Sequence, residues 1–221
     1  MPENSGRLVR VWDLPTRLFH WLAVALVAAA YASWRLNSMN WHAWFGEALL
    51  ALVLWRLLWG FFGSDTARFS RFLVSPRLAL HHLARIGRRE ADREPGHNPA
   101  GGWMVAVLLA LLLGETLTGI YVGNDVADEG PLTAWTPAPI ANLITALHRR
   151  LWHALLAAVV LHLLAILVYA AAKRHNLLLP MVTGRKRLPD DVPSPRMAGL
   201  ARALAAMLCA AAAAAALASL I

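Results

Sequence analysis

Four stretches of about twenty residues, each nearly free of charge, limit what this chain can fold into more than any other feature. They read Leu18–Trp34, Trp44–Phe62, Trp103–Gly123 and His148–Ala172. Each is long enough to cross a hydrocarbon core of about 30 Å. A backbone in hydrocarbon must satisfy its own polar groups, so such stretches are read as helices. The composition agrees, with 58% hydrophobic and 15% charged residues, where soluble domains carry about 25% charged. The longest polar stretch, residues 63–102, is too short for a second domain. The expected fold is therefore an all-α membrane protein, a four-helix transmembrane bundle. A fifth C-terminal transmembrane helix is expected over Ala201–Ile221, where Ala210–Ala216 is unbroken alanine. Small residues let helix backbones approach closely in lipid, so this helix is expected to dock on a neighbouring subunit, a second copy or its own bundle. The linker Pro189–Pro195 gives it reach. The first span has arginines ahead of it and small residues at Ala30–Ser33, as a signal peptide would, but it ends in Trp34 and is read as a retained helix.

Charge distribution orients the spans. Outside them, Arg7, Arg10 and Arg17, seven arginines between residues 68 and 93, and seven basic residues from Lys173 to Arg202 fall on one side. Only Arg35, Arg149 and Arg150 fall on the other. The positive-inside rule puts the N-terminus in the cytoplasm. The net charge of +8 thus reports topology and contact with anionic membrane lipid, with no nucleic acid as partner. Tryptophans 34, 41, 44, 103 and 135 stand where an interfacial belt would place them. One cysteine, Cys209, cannot supply a disulfide framework, an iron–sulfur cluster or a c-type haem attachment.

Histidines carry the chemistry. His148 and His162 are 14 residues apart, on nearly one helix face and about 21 Å apart along the axis. That is too far to share one metal ion and right for two cofactors at two depths. Depth pairs His42 with His148 near the outer side, and His20 with His162 near the cytoplasmic side. Two bis-histidine axial sites result, each suited to a non-covalent b-type haem in the bundle. His153 points 140° away from His148 and is assigned to packing. His81, His82, His97 and His175 are expected to be solvated. Arg56 follows His42 by 14 residues, at the depth of the inner haem, where a guanidinium can hold a propionate; snorkelling to the headgroups is the competing reading. Glu47 and Glu115 are candidates for proton acceptance or for pairing with an arginine.

Several segments then resemble a known family. They are Val11-Trp12-Asp13 with Arg17-Leu18-Phe19-His20-Trp21, His42 with Gly46, Arg56-Leu57-Leu58-Trp59-Gly60-Phe61, Ala67-Arg68-Phe69-Ser70, Gly130-Pro131-Leu132, His148 with His162, and Met181-Val182-Thr183-Gly184-Arg185-Lys186. In this order the chain resembles the bacterial cytochrome b561 group, which includes the b-type cytochrome subunits of nickel–iron hydrogenases. Arg149 stands where many relatives are expected to carry Glu, and the fifth span lies outside the shared core. The resemblance implies two haem b groups with His20, His42, His148 and His162 as iron ligands, and a domain over residues 7–188 followed by a linker and helix over 189–221. It also implies a multi-pass protein of the bacterial inner membrane that passes electrons between the quinone pool of a respiratory chain and a periplasmic redox partner.

That partner is expected to be a c-type cytochrome or another oxidoreductase subunit, a hydrogenase among them. The loop from Asn124 to Leu147 carries Asp125, Asp128 and Glu129 and no Lys or Arg, which suits a basic cytochrome. Some members of the group oxidise superoxide and reduce quinone. A positive outer rim would serve that reaction, and only Arg149 and Arg150 supply one, so it ranks second.

Overall fold

The computed structural model describes residues 6–85, 87, 92–122, 132 and 136–219. Four of its helices are long and apolar enough to cross a membrane: α1 (Leu14–Arg35), α2 (Met39–Phe62), α5 (Pro99–Gly119) and α6 (Ala138–Val168). The last continues through a π-helical turn, Tyr169–Lys173, which ends at Arg174 in the left-handed conformation. Between α2 and α5 lie the short helices α3 (Phe69–Phe72) and α4 (Pro76–Ala84). After α6 come α7 (Leu178–Thr183) and α8 (Leu200–Ser219). Strand β1 (Arg7–Arg10) pairs antiparallel with β2 (Arg185–Leu188) in a two-stranded ribbon. Many large apolar side chains of the long helices are exposed, Leu161, Leu164 and Leu167 of α6 among them. That is the arrangement lipid favours.

The helix starts depart most from expectation. α1 begins four residues early, at Leu14, because Asp13 caps it: Asp13 Oδ1 accepts the Thr16 amide at 2.6 Å. α6 begins ten residues before His148, so that histidine lies inside the helix rather than at its start. Pro137 and Pro139 resemble loop punctuation, yet proline is favoured in a first helical turn, where its missing N–H leaves nothing unsatisfied. The expected third-span end at Gly123 lies outside the described residues, as do Arg88, Arg89, Asp125, Asp128, Glu129, Gly130, Pro131, Trp135 and Ile221. The fifth helix forms, but its apolar part, Leu200–Ala216, is shorter than the four long spans.

Contacts divide the chain into two compact units. The first comprises Met1–Leu18, Leu58–Val107 and Val159–Ala203. Residues of several resembling segments, Val11, Asp13, Trp59, Gly60, Phe69 and Gly184, meet there. Val11 is fully buried, its amide donating to Gly184 O at 2.8 Å and its carbonyl accepting from Thr66 Oγ1 at 2.7 Å. Trp59 is also fully buried, and its Nε1 donates to Asp13 Oδ2 and Thr16 Oγ1, both at 3.2 Å. Gly184 holds φ at +78°, and a Cβ there would meet Trp12 O at 2.8 Å; only glycine suits that turn. A Cβ on Gly60 would strike the Phe69 ring at 2.1 Å. A small apolar core of Val9, Val11, Trp12, Leu188 and Val192 seals the ribbon side.

The C-terminal linker is held by hydrogen bonds to other segments of the first unit. Arg7 Nη2 donates to Val192 O at 2.7 Å, and Arg196 exchanges two backbone-linked bonds with Asp65, both at 3.0 Å. Farther along, the Ala198 amide donates to Ser64 Oγ at 2.8 Å and Arg202 Nη1 to Phe62 O at 3.3 Å. Ala203 and Ala210, seven residues apart on one face of α8, are buried within this chain.

The second unit comprises Phe19–Leu57, Leu108–Ala158 and Leu204–Ile221. Its α1–α2 turn is fixed by Asn37 in the left-handed conformation, φ 56°. Ser38 N donates to Ser33 O at 2.8 Å and Asn37 N to Trp34 O at 3.0 Å, a pair of bonds that closes a helix C-terminus. Ser38 O then accepts from His42 N at 3.1 Å, so the turn sets where His42 stands at the start of α2.

Candidate functional site

His42 of α2 and His148 of α6 face each other in the second unit. Their ring centroids are 6.4 Å apart and their planes are perpendicular, at 90°. Each ring is anchored through its Nδ1. That of His42 lies 2.8 Å from Ala30 O, and that of His148 lies 3.0 Å from both Glu115 O and Thr118 Oγ1 of α5. Carbonyl oxygens only accept, so both Nδ1 atoms carry the proton. The Thr118 hydroxyl donates to Gly114 O at 2.7 Å, which leaves its oxygen to accept from His148. Gly119 lies against this ring, and a Cβ there would make an ordinary contact with His148 Cε1 at 3.4 Å.

This hydrogen bonding leaves both Nε2 lone pairs for a metal. Two imidazoles on opposite sides of one metal ion, each bonded at about 2 Å, have ring centres about 6 Å apart. The spacing between His42 and His148 matches. Glu115 Oε1 is 3.5 Å from His148 Nε2, and its Oε2 is buried with no hydrogen-bond partner among the described residues. A lone pair facing a carboxyl oxygen in a buried site lacks a positive centre, and iron bound at Nε2 would supply one. No group of three or more His, Cys, Asp or Glu gathers among the described residues. Two axial imidazoles instead suit an iron whose remaining positions are filled by a porphyrin, and the residues present fit haem b.

These features bear on the family, and a family model decides it: the model for prokaryotic cytochrome b561 matches residues 11–184. The chain belongs to the prokaryotic cytochrome b561 family. It is an all-α membrane bundle and a b-type, haem-binding cytochrome of membrane electron transport. The two ends of the matched segment touch, since Val11 N donates to Gly184 O, while α8 and the linker before it lie outside the match. Neither a search of curated proteins nor one of solved structures gives a match.

The other residues expected at the site lie in both units. His20 is half-buried in the second unit, its ring edge-on to Trp21 at 4.8 Å. His162 is half-buried in the first unit. Arg56 is 2% exposed, with its Cζ 5.9 Å from the centre of the Phe19 ring. A snorkelling side chain would reach out to the headgroups, so this burial disagrees with that reading. Arg149 and Arg150 are exposed, as is Glu47. His153 is exposed and donates from Nδ1 to Arg149 O at 2.7 Å.

Three histidines expected in solvent are engaged instead. His82 Nε2 lies 2.6 Å from Tyr169 Oη, His97 packs between Trp12 and Phe72 at 4.7 and 5.1 Å, and His175 Nδ1 lies 3.6 Å from Asp92 Oδ2. Tertiary packing brings each of them its partner from a distant part of the chain, which spacing along one segment does not reveal. Thr118 and Gly119 escape the sequence reading for the same reason, although their place one turn beyond Glu115 in Gly-Glu-Thr-Leu-Thr-Gly is a usable signal.

Proposed function

We propose that this cytochrome carries two haem b groups and passes electrons between the quinone pool of the bacterial inner membrane and a periplasmic redox partner. The observation that carries the reading is the His42–His148 pair, 6.4 Å apart with both Nδ1 atoms held by oxygen acceptors. His42 and His148 serve as axial ligands of the outer haem, and His20 and His162 of the inner one, with the N-terminus in the cytoplasm. Haem iron, when bound, supplies the one-electron couple.

The chain's own residues do the rest. Ala30 O, Glu115 O and Thr118 Oγ1 hold the outer imidazoles in one orientation, which limits rearrangement when charge changes. Arg56, buried in α2, balances propionate charge at the inner haem. Glu115, beside His148, is placed to take the proton that leaves a quinol. A c-type cytochrome or an oxidoreductase subunit such as a hydrogenase is the partner class. Exposed Arg149 and Arg150, next to His148, favour superoxide:quinone oxidoreductase activity as a second reading.

The test is anaerobic addition of a soluble quinol to the purified protein, with the b-type absorbance followed. Haem reduction by quinol, at two resolved potentials, is the expected result. A b-type signal that quinol leaves oxidised, at potentials that permit transfer, would overturn the quinone assignment. Oxygen-radical-driven reduction of the haems at a rate that falls on Arg149→Gln would promote the second reading.

A further inference from the structure

The ribbon of β1 and β2 has two faces of opposite chemistry. In its register Arg7 opposes Leu188, Leu8 opposes Arg187, Val9 opposes Lys186 and Arg10 opposes Arg185. Alternate residues of a strand point to opposite sides, so Arg7, Val9, Lys186 and Leu188 share one face. Leu8, Arg10, Arg185 and Arg187 share the other. On the first face each cation is bonded: Arg7 donates to Val192 O, and Lys186 Nζ lies 2.6 Å from the Asp92 carboxylate and donates to Glu94 O at 2.9 Å. Val9 and Leu188 are buried beneath it.

On the second face all four side chains are exposed, Leu8 at 57%. Arg10 and Arg185 stand directly opposite each other, and neither side chain makes a hydrogen bond or ion pair among the described residues. Arg187 Nη1 makes a long bond to Gly6 O, at 3.5 Å. Like charges opposed across paired strands are destabilising, so this face lacks an anion that its inner face has.

Position indicates which anion. Arg10 precedes Leu14, the first residue of a membrane-spanning helix, by four residues, a chain reach of about 14 Å at most. Headgroups occupy a layer of about 5–8 Å outside the hydrocarbon on each side. We propose that Leu8, Arg10, Arg185 and Arg187 form a binding site for the headgroup phosphate of an anionic phospholipid. The planar guanidinium groups donate in pairs to phosphate oxygens. Leu8, apolar and ringed by cations, enters the boundary between headgroups and acyl chains, as apolar residues of interfacial segments do. A free phosphate would satisfy the arginines and leave Leu8 in water. The inference needs the chain to cross the membrane and is independent of the quinone reading.

Native mass spectrometry of the full-length haem-loaded protein, in detergent with equal phosphatidylglycerol and phosphatidylcholine, tests it. The protein should retain phosphatidylglycerol preferentially. The triple variant Arg10→Gln, Arg185→Gln, Arg187→Gln should lose the preference, by about fivefold for each arginine. Removing the same charge from exposed Arg71, Arg77 and Arg174 should leave it intact. An unchanged haem spectrum in the triple variant verifies its fold. Should that spectrum be altered, the single variants Arg10→Gln and Arg185→Gln, each of which relieves the opposed pair, carry the same comparison. A preference that survives the arginine substitutions overturns the proposal. So does displacement of the lipid by millimolar inorganic phosphate together with indifference to Leu8→Ser, which would make this a free-phosphate site. Arginine-dependent binding of polyglutamate without any lipid preference would reassign the face to an acidic protein and likewise overturn it.

Discussion

Histidines occur in both compact units, and the partner of each ring separates two kinds of them. In the second unit, His42 and His148 give Nδ1 to oxygen acceptors, and their ring centroids lie 6.4 Å apart. In the first unit, His82 spends Nε2 on Tyr169, His175 turns Nδ1 to Asp92, and His97 lies against two aromatic rings. On the proposed reading, rings of the first kind hold haem iron and those of the second serve packing. The atom left over sorts them only together with burial, because His153 also gives Nδ1 to a carbonyl oxygen but is exposed.

The sharpest way to break that distinction is to remove the structural rings. His82→Ala, His97→Ala and His175→Ala should each retain two haems per chain, while His20→Ala or His162→Ala should lose the inner haem and keep the outer. Pyridine haemochrome quantification decides it. A haem lost with His97→Ala alone, in a protein still folded by circular dichroism, would erase the boundary between the two kinds.

Next in size is Arg56→Leu. A buried cation near a haem favours the reduced iron, so its removal should lower the inner midpoint by about 60 mV, a tenfold change for one electron. The outer midpoint should stay in place. Redox titration with two resolved waves measures both.

Thr118→Val sharpens the comparison from the other side. The valine keeps the volume and removes one of the two oxygens near His148 Nδ1. A weaker hydrogen bond makes the imidazole a poorer donor to ferric iron, so the outer midpoint should rise, by about 20 mV, with haem content unchanged. An unmoved potential would leave Glu115 O as the sole anchor that matters.

The smallest effect concerns Glu94, outside the spans. Partial burial and the neighbouring Asp92 carboxylate raise its pKa above 4.5, against the opposing pull of Lys186. An acid whose pKa is raised on folding contributes stability below its unfolded value, near pH 4.5, and loses it as pH rises through the folded value. Glu94→Gln should therefore raise the melting temperature at pH 7, by about 1 °C or less because the side chain keeps substantial exposure, and leave it unchanged near pH 4.

Much of this was legible from the chain alone, and the physical reason is the solvent. Hydrocarbon forces charge out of four long runs, and α1, α2, α5 and α6 fall on them. The facing of His42 and His148 follows from helix periodicity and depth. What the sequence hides is set by contacts remote along the chain. β1 and β2 are four-residue strands nearly 180 residues apart, and arginine-rich strands without strict alternation give no signal of pairing. The start of α6 was obscured by prolines that act as first-turn residues. The linker at Pro189–Pro195 reads as loose, yet its anchors Asp65, Ser64 and Arg7 come from other segments. His20 and His162 fall in different units, so their pairing stands on depth and on the family.

The central claim is that His42 and His148 hold the same haem. The direct measurement is haem stoichiometry, with reduced-minus-oxidised spectra, for His42→Ala, His148→Ala and the double variant, each purified in the same detergent. Each single variant should carry one haem with the spectrum and midpoint of the inner group, and the double variant should be identical to either. A double variant that carries none, or a His148→Ala protein that retains both haems, would contradict the account.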